Sequence, residues 1–290
     1  AFDNVRIDKV LRALKRKGFQ TWFVDWYGFY LENRQITAAF GGEVITRYLI
    51  VGTPQGGVLS PVIWNIIFDE FILEVQDRDG LHITVFADDG VTLIYHQNMR
   101  ALKTIAQNFL NTAIRWTQDN GLQIHAGKTE LMHIPYGKQY PPTLWLDQVK
   151  LKYIDSMKFL GVQIDNELTF STHIEAKIKT AKFMLTKVAA IQGRDWGPKG
   201  QIIKWAYNMV IKPSLSYAAI IRANKLSYKQ MTKLKAVNRL ALLCMAQCRK
   251  DTPTLGLEIM FDIPPLDLEV RSMAMSAHMR LQLPEVIQGH

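Results

Sequence analysis

Two adjacent carboxylates, Asp88 and Asp89, stand in Phe86-Ala87-Asp88-Asp89 between two short apolar, β-branched runs, Leu81-His82-Ile83-Thr84-Val85 and Gly90-Val91-Thr92-Leu93-Ile94-Tyr95. The pattern predicts a β-hairpin that carries both acids at its tip, with Asp-Asp-Gly as the turn. Adjacent acids repel, and no Lys or Arg lies between Leu81 and Tyr95 to offset them. A divalent cation would remove the conflict, because hard carboxylate oxygens suit Mg²⁺. On these residues alone, a plain solvated Asp-Asp-Gly turn reads equally well.

A second candidate is the stretch Val51-Gly52-Thr53-Pro54-Gln55-Gly56-Gly57-Val58-Leu59-Ser60-Pro61. Its glycines allow a ligand to approach backbone N–H groups, and the helix that follows offers its N-terminus to phosphate. It lacks the Gly-Lys-Ser/Thr ending of a Walker A loop. A Gly/Pro-rich connection before a buried helix would have the same composition. Lys128, in Ala126-Gly127-Lys128-Thr129, reads by itself as an exposed loop lysine.

The elements that must position these residues follow from hydrophobic period. Residues 4–17 and 20–33 read as helices, the second with a stripe of Trp22, Phe23, Trp26, Phe29 and Tyr30 that reads as core packing rather than a base-stacking surface. Gln35 to Phe40 and Glu43 to Val51 form a hairpin around Gly41-Gly42. Val58 to Val75 is a helix with Leu59, Ile63, Ile66, Ile67 and Phe71 on one face, and 99–120 is an amphipathic helix. Leu122-Gln123-Ile124 and Glu130 to Ile134 read as short strands, Leu144 to Leu146 and Val149 to Leu151 as a small hairpin, and Lys158 to Ile164 as one strand. Beyond Thr169 the period is helical, over about 171–193, 199–212 and 227–248, with breaks at Gly193, Gly197-Pro198 and Lys212-Pro213. The domain boundary is therefore expected near 165–170.

Composition narrows the classes. The 290 residues are 48% hydrophobic and 21% charged, as in folded globular chains. There is no apolar run long enough for a membrane span and no signal peptide at the start. Cys244 and Cys248 share a helix face, a poor geometry for a disulfide, and read as buried free thiols. Residues 1–165 carry 17 Lys or Arg and 17 Asp or Glu, whereas 177–250 carry 16 basic residues and one acid, Asp195. Residues 251–290 carry two basic and six acidic side chains. A single basic block beside a neutral half points to a polyanion partner, because a merely solvated face has acids interspersed.

The order of the motifs carries more than any one of them. Ala1-Phe2-Asp3 is followed by Gly52 to Pro61, Phe86 to Asp89, Gly121-Leu122-Gln123-Ile124 with Gly127-Lys128-Thr129-Glu130, and Phe159-Leu160-Gly161-Val162-Gln163-Ile164. In that order they resemble the reverse transcriptase of a non-LTR (LINE-type) retrotransposon, most like the jockey-like group. The resemblance covers essentially the whole chain and extends to Tyr207, Ile211-Lys212-Pro213, Leu215-Ser216-Tyr217 and Thr252-Pro253 with Pro264-Pro265-Leu266.

The resemblance implies an α+β right-hand polymerase. Residues 1–165 would be the palm, an antiparallel sheet packed on helices with a remnant of the fingers, which are otherwise largely absent. Residues 166–250 would be the strongly basic helical thumb and connection, and 251–290 a helical extension towards a missing downstream domain. The implied reaction adds dNTPs to the 3′-hydroxyl of a DNA primer on an RNA template, with two Mg²⁺ ions, Mn²⁺ being the alternative. Asp88 corresponds to the metal-binding carboxylate and Asp89 to its companion. Gln55 would lie against the incoming nucleotide and template, with Gly56 allowing close approach. Phe2 would stack under the deoxyribose and exclude a 2′-hydroxyl, with Ala1 beside the sugar. Lys128 would assist the leaving pyrophosphate as a proton donor. Phe159, Leu160 and Gly161 would be the primer-gripping turn, although from the residues alone they read as a core strand. The basic block would track the phosphates of an RNA–DNA hybrid. The implied setting is intracellular, in nucleus or cytoplasm, as part of a retrotransposon ribonucleoprotein. Oligomeric state is not set by the sequence.

The chain departs from the pattern at its start. In the family, the metal-binding acid of the first motif stands four residues before the alanine that Ala1 matches, and Asp3 is not its substitute. The sequence thus reads as a fragment with an incomplete carboxylate set, and little or no polymerase activity is expected of it alone. Two other readings compete: a non-catalytic nucleic-acid-binding protein derived from such an element, and a viral RNA-dependent RNA polymerase. The second is weakened by Phe2 and by Phe-Ala-Asp-Asp in place of Gly-Asp-Asp.

Overall fold

The computed structural model describes residues 4–76, 79–135, 139–193, 196–222 and 226–281. Ala1 and Phe2 lie outside them. The fold is α+β, and the chain divides into two compact units between Ile154 and Asp155.

In the first unit, α1 (Ile7–Arg16) and α2 (Thr21–Glu32) lead to the hairpin β1 (Gln35–Phe40) and β2 (Glu43–Tyr48), followed by α3 (Ser60–Val75). The hairpin β3 (Leu81–Phe86) and β4 (Asp89–Ile94) comes next, then α4 (Met99–Asp119) and the short hairpin β5 (Trp145–Leu146) and β6 (Val149–Lys150). The main core joins Val10 and Leu14 of α1, Tyr27 and Leu31 of α2, Ile63, Ile67, Phe71 and Val75 of α3, Leu81 of β3 and Trp116 of α4. The α3 side chains recur every four residues, one stripe of a 3.6-residue helix, and burying each contributes about 1.5–3 kcal/mol.

In the second unit, β7 (Ser156–Phe159) and β8 (Val162–Asp165) form a hairpin that packs on α5 (Ser171–Ala190). Then come α6 (Gly200–Ala206), a π turn at Tyr207–Ile211, α7 (Lys212–Ser216), α8 (Ala219–Arg222), α9 (Tyr228–Ala246), α10 (Thr254–Phe261) and α11 (Leu266–Arg280). Their core gathers Ile174, Leu185, Ile203, Tyr207, Leu215, Leu234, Ala241, Leu242, Leu266 and Val270. A capping box starts α9: Ser227 Oγ accepts from Gln230 N and the Gln230 side chain accepts from Ser227 N. Cys244 is buried on α9 as a free thiol, and Cys248 is free and half-buried.

Several sequence expectations need correction. Four of the five aromatic residues of the α2 stripe face outwards: Trp22 is 66% and Phe29 70% exposed, and Trp26 and Tyr30 are exposed and stack on each other 6.0 Å apart, whereas Phe23 packs against the core as expected. Val24, Tyr27, Gly28 and Leu31 are buried instead. Gly28 explains the choice, since a Cβ there would stand 3.1 Å from Leu11 Cδ1; the side lacking a side chain allows α1 the closer approach. Leu122–Ile124 and Glu130–Ile134 are not strands. Their pairing is limited to one parallel bridge, Leu131 with Tyr153, and a 3₁₀ turn fills Ala126–Lys128. Lys158–Ile164 is two strands rather than one, because Leu160 and Gly161 turn the chain. Pro213 does not end a helix. Lys212 N–H reaches back to Tyr207 O in the π turn, and the wider turn lets the ring enter α7 at its first residues. Among the described residues the strands form four separate two-stranded antiparallel sheets.

Candidate active site

The hairpin β3–β4 carries the paired acids, but its turn is displaced from the one the sequence suggests. Phe86 pairs with Asp89 and Val85 with Gly90, so the two loop residues are Ala87 and Asp88. This register places Leu81, Ile83 and Val85 with Thr92 and Ile94 towards the core, and leaves Asp88 and Asp89 exposed. A slip by one residue would turn the apolar set to solvent. The consequence falls on Ala87, which takes a left-handed φ of 55° that a glycine would take freely. That conformation costs about 1–2 kcal/mol, less than exposing two aliphatic side chains.

The strained turn is held from α3. Trp64, buried one turn into that helix, donates its indole N–H to the Ala87 carbonyl at 2.8 Å. A buried indole needs such a partner, and the Ala87 carbonyl supplies it. Reading the sequence for chemistry does not single out Trp64. A signal is nevertheless there: a large side chain with one obligatory donor, on the helix that follows the glycine loop.

The same helix holds the Gln55 loop. Pro54 O accepts from Gly57 N at 3.1 Å, closing a turn whose third residue, Gly56, has φ 80°. A type II turn needs a glycine there. Ser60 Oγ, at the start of α3, donates to the same Pro54 carbonyl at 2.6 Å, and a Cβ on Gly57 would crowd that hydroxyl at 2.9 Å. Gln55 therefore sits at an exposed corner of a fixed loop. Arg34, after α2, ties down the loop's entry by donating to Val51 O and Gly52 O at 2.9 and 2.6 Å. The first two turns of α3 thus brace both the Gln55–Gly56 corner and the Asp88–Asp89 tip.

Lys128 ends the 3₁₀ turn that follows α4, exposed, in the same unit. His125 shapes that turn by accepting from Gly127 N through Nδ1 at 3.1 Å. Phe159, Leu160 and Gly161 lie in the second unit at the β7–β8 turn. Ala1 and Phe2 are outside the described residues.

The donor set at the tip fits a hard divalent cation: two consecutive exposed carboxylates supply hard oxygen, and such an ion can be bound through one or two carboxylates plus substrate phosphates. Among the described residues, no group of three or more His, Cys, Asp or Glu is placed to hold a metal without substrate.

Comparison with known proteins gives this arrangement a relationship. Residues 1–164 match the family described as reverse transcriptase (RNA-dependent DNA polymerase). The chain is similar to a 115 kDa protein in type-1 retrotransposable element R1DM of Drosophila melanogaster, at 24% identity over 98% of the chain and 28% of that protein. It is similar to the RNA-directed DNA polymerase from mobile element jockey of the same organism, at 25% identity over 82% of the chain and 27% of that protein. A Pol polyprotein from type-1 retrotransposable element R1 2 of Nasonia vitripennis is 23% identical over 75% of the chain and 55% of its own length. The chain thus spans between about a quarter and just over half of these relatives. With the family match covering more than half of the chain, including both the Gln55 loop and the Asp88–Asp89 hairpin, the chain belongs to the reverse transcriptase family.

Proposed function

We propose that the chain is part of an RNA-directed DNA polymerase of a non-LTR retrotransposon, which extends a DNA primer on an RNA template with dNTPs. One observation carries the reading: the family match runs through a paired-acid turn and a glycine loop that are braced by the same helix, α3. Divalent ions bound at such a tip supply charge stabilisation to phosphoryl transfer. Within this chain the remaining tasks divide among a few side chains. Asp88 and Asp89 present oxygen ligands from a turn fixed before substrate arrives, so little reorganisation is needed. Gln55 offers an uncharged amide to the incoming nucleotide from a loop tied to Ser60 and Arg34 by hydrogen bonds. Lys128 is a proton donor for the leaving pyrophosphate, and Phe2, beside Ala1, selects against a ribose.

In this reading 1–165 form the palm with a remnant of fingers, 166–250 the thumb and connection, and 251–290 a helical extension. Phe159, Leu160 and Gly161 grip the primer end, and the basic block follows the phosphates of the RNA–DNA hybrid. The setting is a retrotransposon ribonucleoprotein in nucleus or cytoplasm. Among the described residues no helix is long and apolar enough to cross a membrane.

Primer extension is the test, run on an RNA template with a polyprotein of the length of the chain's relatives. Extension with dNTPs is expected in Mg²⁺, and Asp88→Asn is expected to reduce it by at least about a hundredfold, the scale of losing several kcal/mol of metal-borne stabilisation. Undiminished extension by Asp88→Asn would sink the assignment.

A further inference from the structure

The Leu160-Gly161 turn is held from outside its own hairpin. Tyr217, the residue after α7, donates its hydroxyl to the Leu160 carbonyl at 2.7 Å. A Cβ on Gly161 would lie 3.5 Å from Tyr217 Cε1, so the ring lies against the glycine. Lys177 of α5 places its ammonium 5.8 Å from the centroid of the same ring. Leu160 and Gly161 have φ of 46° and 80°, both left-handed, as a type I′ turn requires. A leucine in that conformation is strained and persists where its surroundings fix it. Tyr217 belongs to the Leu215-Ser216-Tyr217 stretch, for which the proposed function has no task.

We infer that Tyr217 is a positioning residue for the primer end: it fixes the Leu160-Gly161 turn and keeps the Lys177 ammonium beside it. A strand terminus then meets an apolar tip and a cation as one element. The terminal sugar and base rest on the exposed Leu160 side chain, and the last phosphate is attracted by Lys177. The inference rests on reading this turn as the primer grip. The clamp itself comes from the hydroxyl, ring and cation contacts of Tyr217.

Two measurements separate the clamp from that reading. The first uses no nucleic acid. Amide hydrogen exchange at Leu160–Val162 is compared between the chain and Tyr217→Phe, with thermal unfolding to verify that the variant folds. Faster exchange in the variant is expected, by about five-fold, the equivalent of one net hydrogen bond. Equal exchange overturns the clamp, whatever nucleic acid does. The second uses an RNA–DNA hybrid with a recessed DNA 3′ end, 2-aminopurine at its terminal position and a dye at the far end. Dye anisotropy is expected to show unchanged overall affinity for Tyr217→Phe. The terminal-base fluorescence is expected to show about five-fold weaker seating of the end. Lys177→Gln is expected to lower the slope of log affinity against log salt by about one. Terminal seating that is the same in Tyr217→Phe and the parent chain overturns the positioning role. If the parent chain fails to bind the hybrid at all, the reading of this turn as the primer grip falls and the positioning role falls with it.

Discussion

Tyr27 sits on the buried face of α2, and its hydroxyl has no hydrogen-bond partner among the described residues. Burial pushes the phenol up to about 12, with Tyr30 adding to the rise and Arg34 opposing it. An unfolded tyrosine ionises near about 10, so between these values the unfolded chain releases a proton that the folded chain keeps. The stability linked to this proton is whole below the unfolded value and is lost as pH rises through the folded one. Tyr27→Phe is expected to stabilise the chain by about 1 kcal/mol near neutrality, since a buried unpaired hydroxyl is removed. It should also soften the alkaline decline, leaving the parts due to Tyr153, whose phenol is raised by burial, and to Tyr207, whose phenol is raised by burial and by Glu269 and Glu258. Denaturant titrations at about pH 8 and pH 11 read both effects; a variant that declines as steeply as the parent would count against this account. At this scale the sequence shows chemistry and hides strain. Asp88 and Asp89 stand out because charge is rare inside an apolar run. The left-handed Ala87 does not, because it follows from a register that Leu81, Ile83 and Ile94 decide together. Trp64 is hidden for a similar reason: its partner is a backbone carbonyl on another element.

Helices are the most legible elements, because their period is local. The helix expected over 99–120 is found at Met99–Asp119, with Asn98 accepting from Arg100 N at 2.8 Å as its cap. Strands depend on finding a partner. Leu122–Ile124 has β-prone composition and remains unpaired as a strand, whereas the single run at Lys158–Ile164 folds back to pair with itself. The outward face of α2 is a third case, since side-chain volume alone favours the aromatic stripe and the close approach at Gly28 favours the other. Close approach sets α6 against α9 as well. A Cβ on Gly200 would overlap the Met245 carbonyl oxygen, a backbone atom that cannot rotate away. Gly200→Ala is therefore expected to destabilise the second unit by roughly 1–3 kcal/mol. Thermal unfolding followed by circular dichroism gives the value, and a melting temperature equal to the parent's would mean that the two helices are not held at this distance.

At the scale of the whole molecule, the basic block of the sequence is not one homogeneous surface. Lys212 pairs with Glu269 at 2.5 Å, Lys233 with Glu175 at 2.5 Å and Lys235 with Asp267 at 3.3 Å. These cations bind the helices of the second unit to one another, and the pairing partners of Lys212 and Lys235 come from the acidic C-terminal stretch. Lys179, Lys182 and Lys187 on α5 are exposed. The charge count could show the excess but not this division, which depends on which helix faces which. Replacing Lys179, Lys182 and Lys187 with Gln is expected to lower the salt slope of hybrid binding by about one for each phosphate left without its cation. Lys212→Gln is expected to cost stability and leave the slope unchanged. Binding measured across a salt series decides between them, and an unaltered slope in the triple variant would remove α5 from the phosphate track.

The placement of the two thiols has a practical consequence. Cys244 and Cys248 are the chain's only cysteines, and both belong to the second unit. Burial raises the Cys244 thiol above its ordinary range, so little of it is thiolate while α9 stays packed. The rate at which an alkylating reagent modifies Cys244 is then a clock for the opening of that unit, without any contribution from the half of the molecule that carries Asp88 and Asp89.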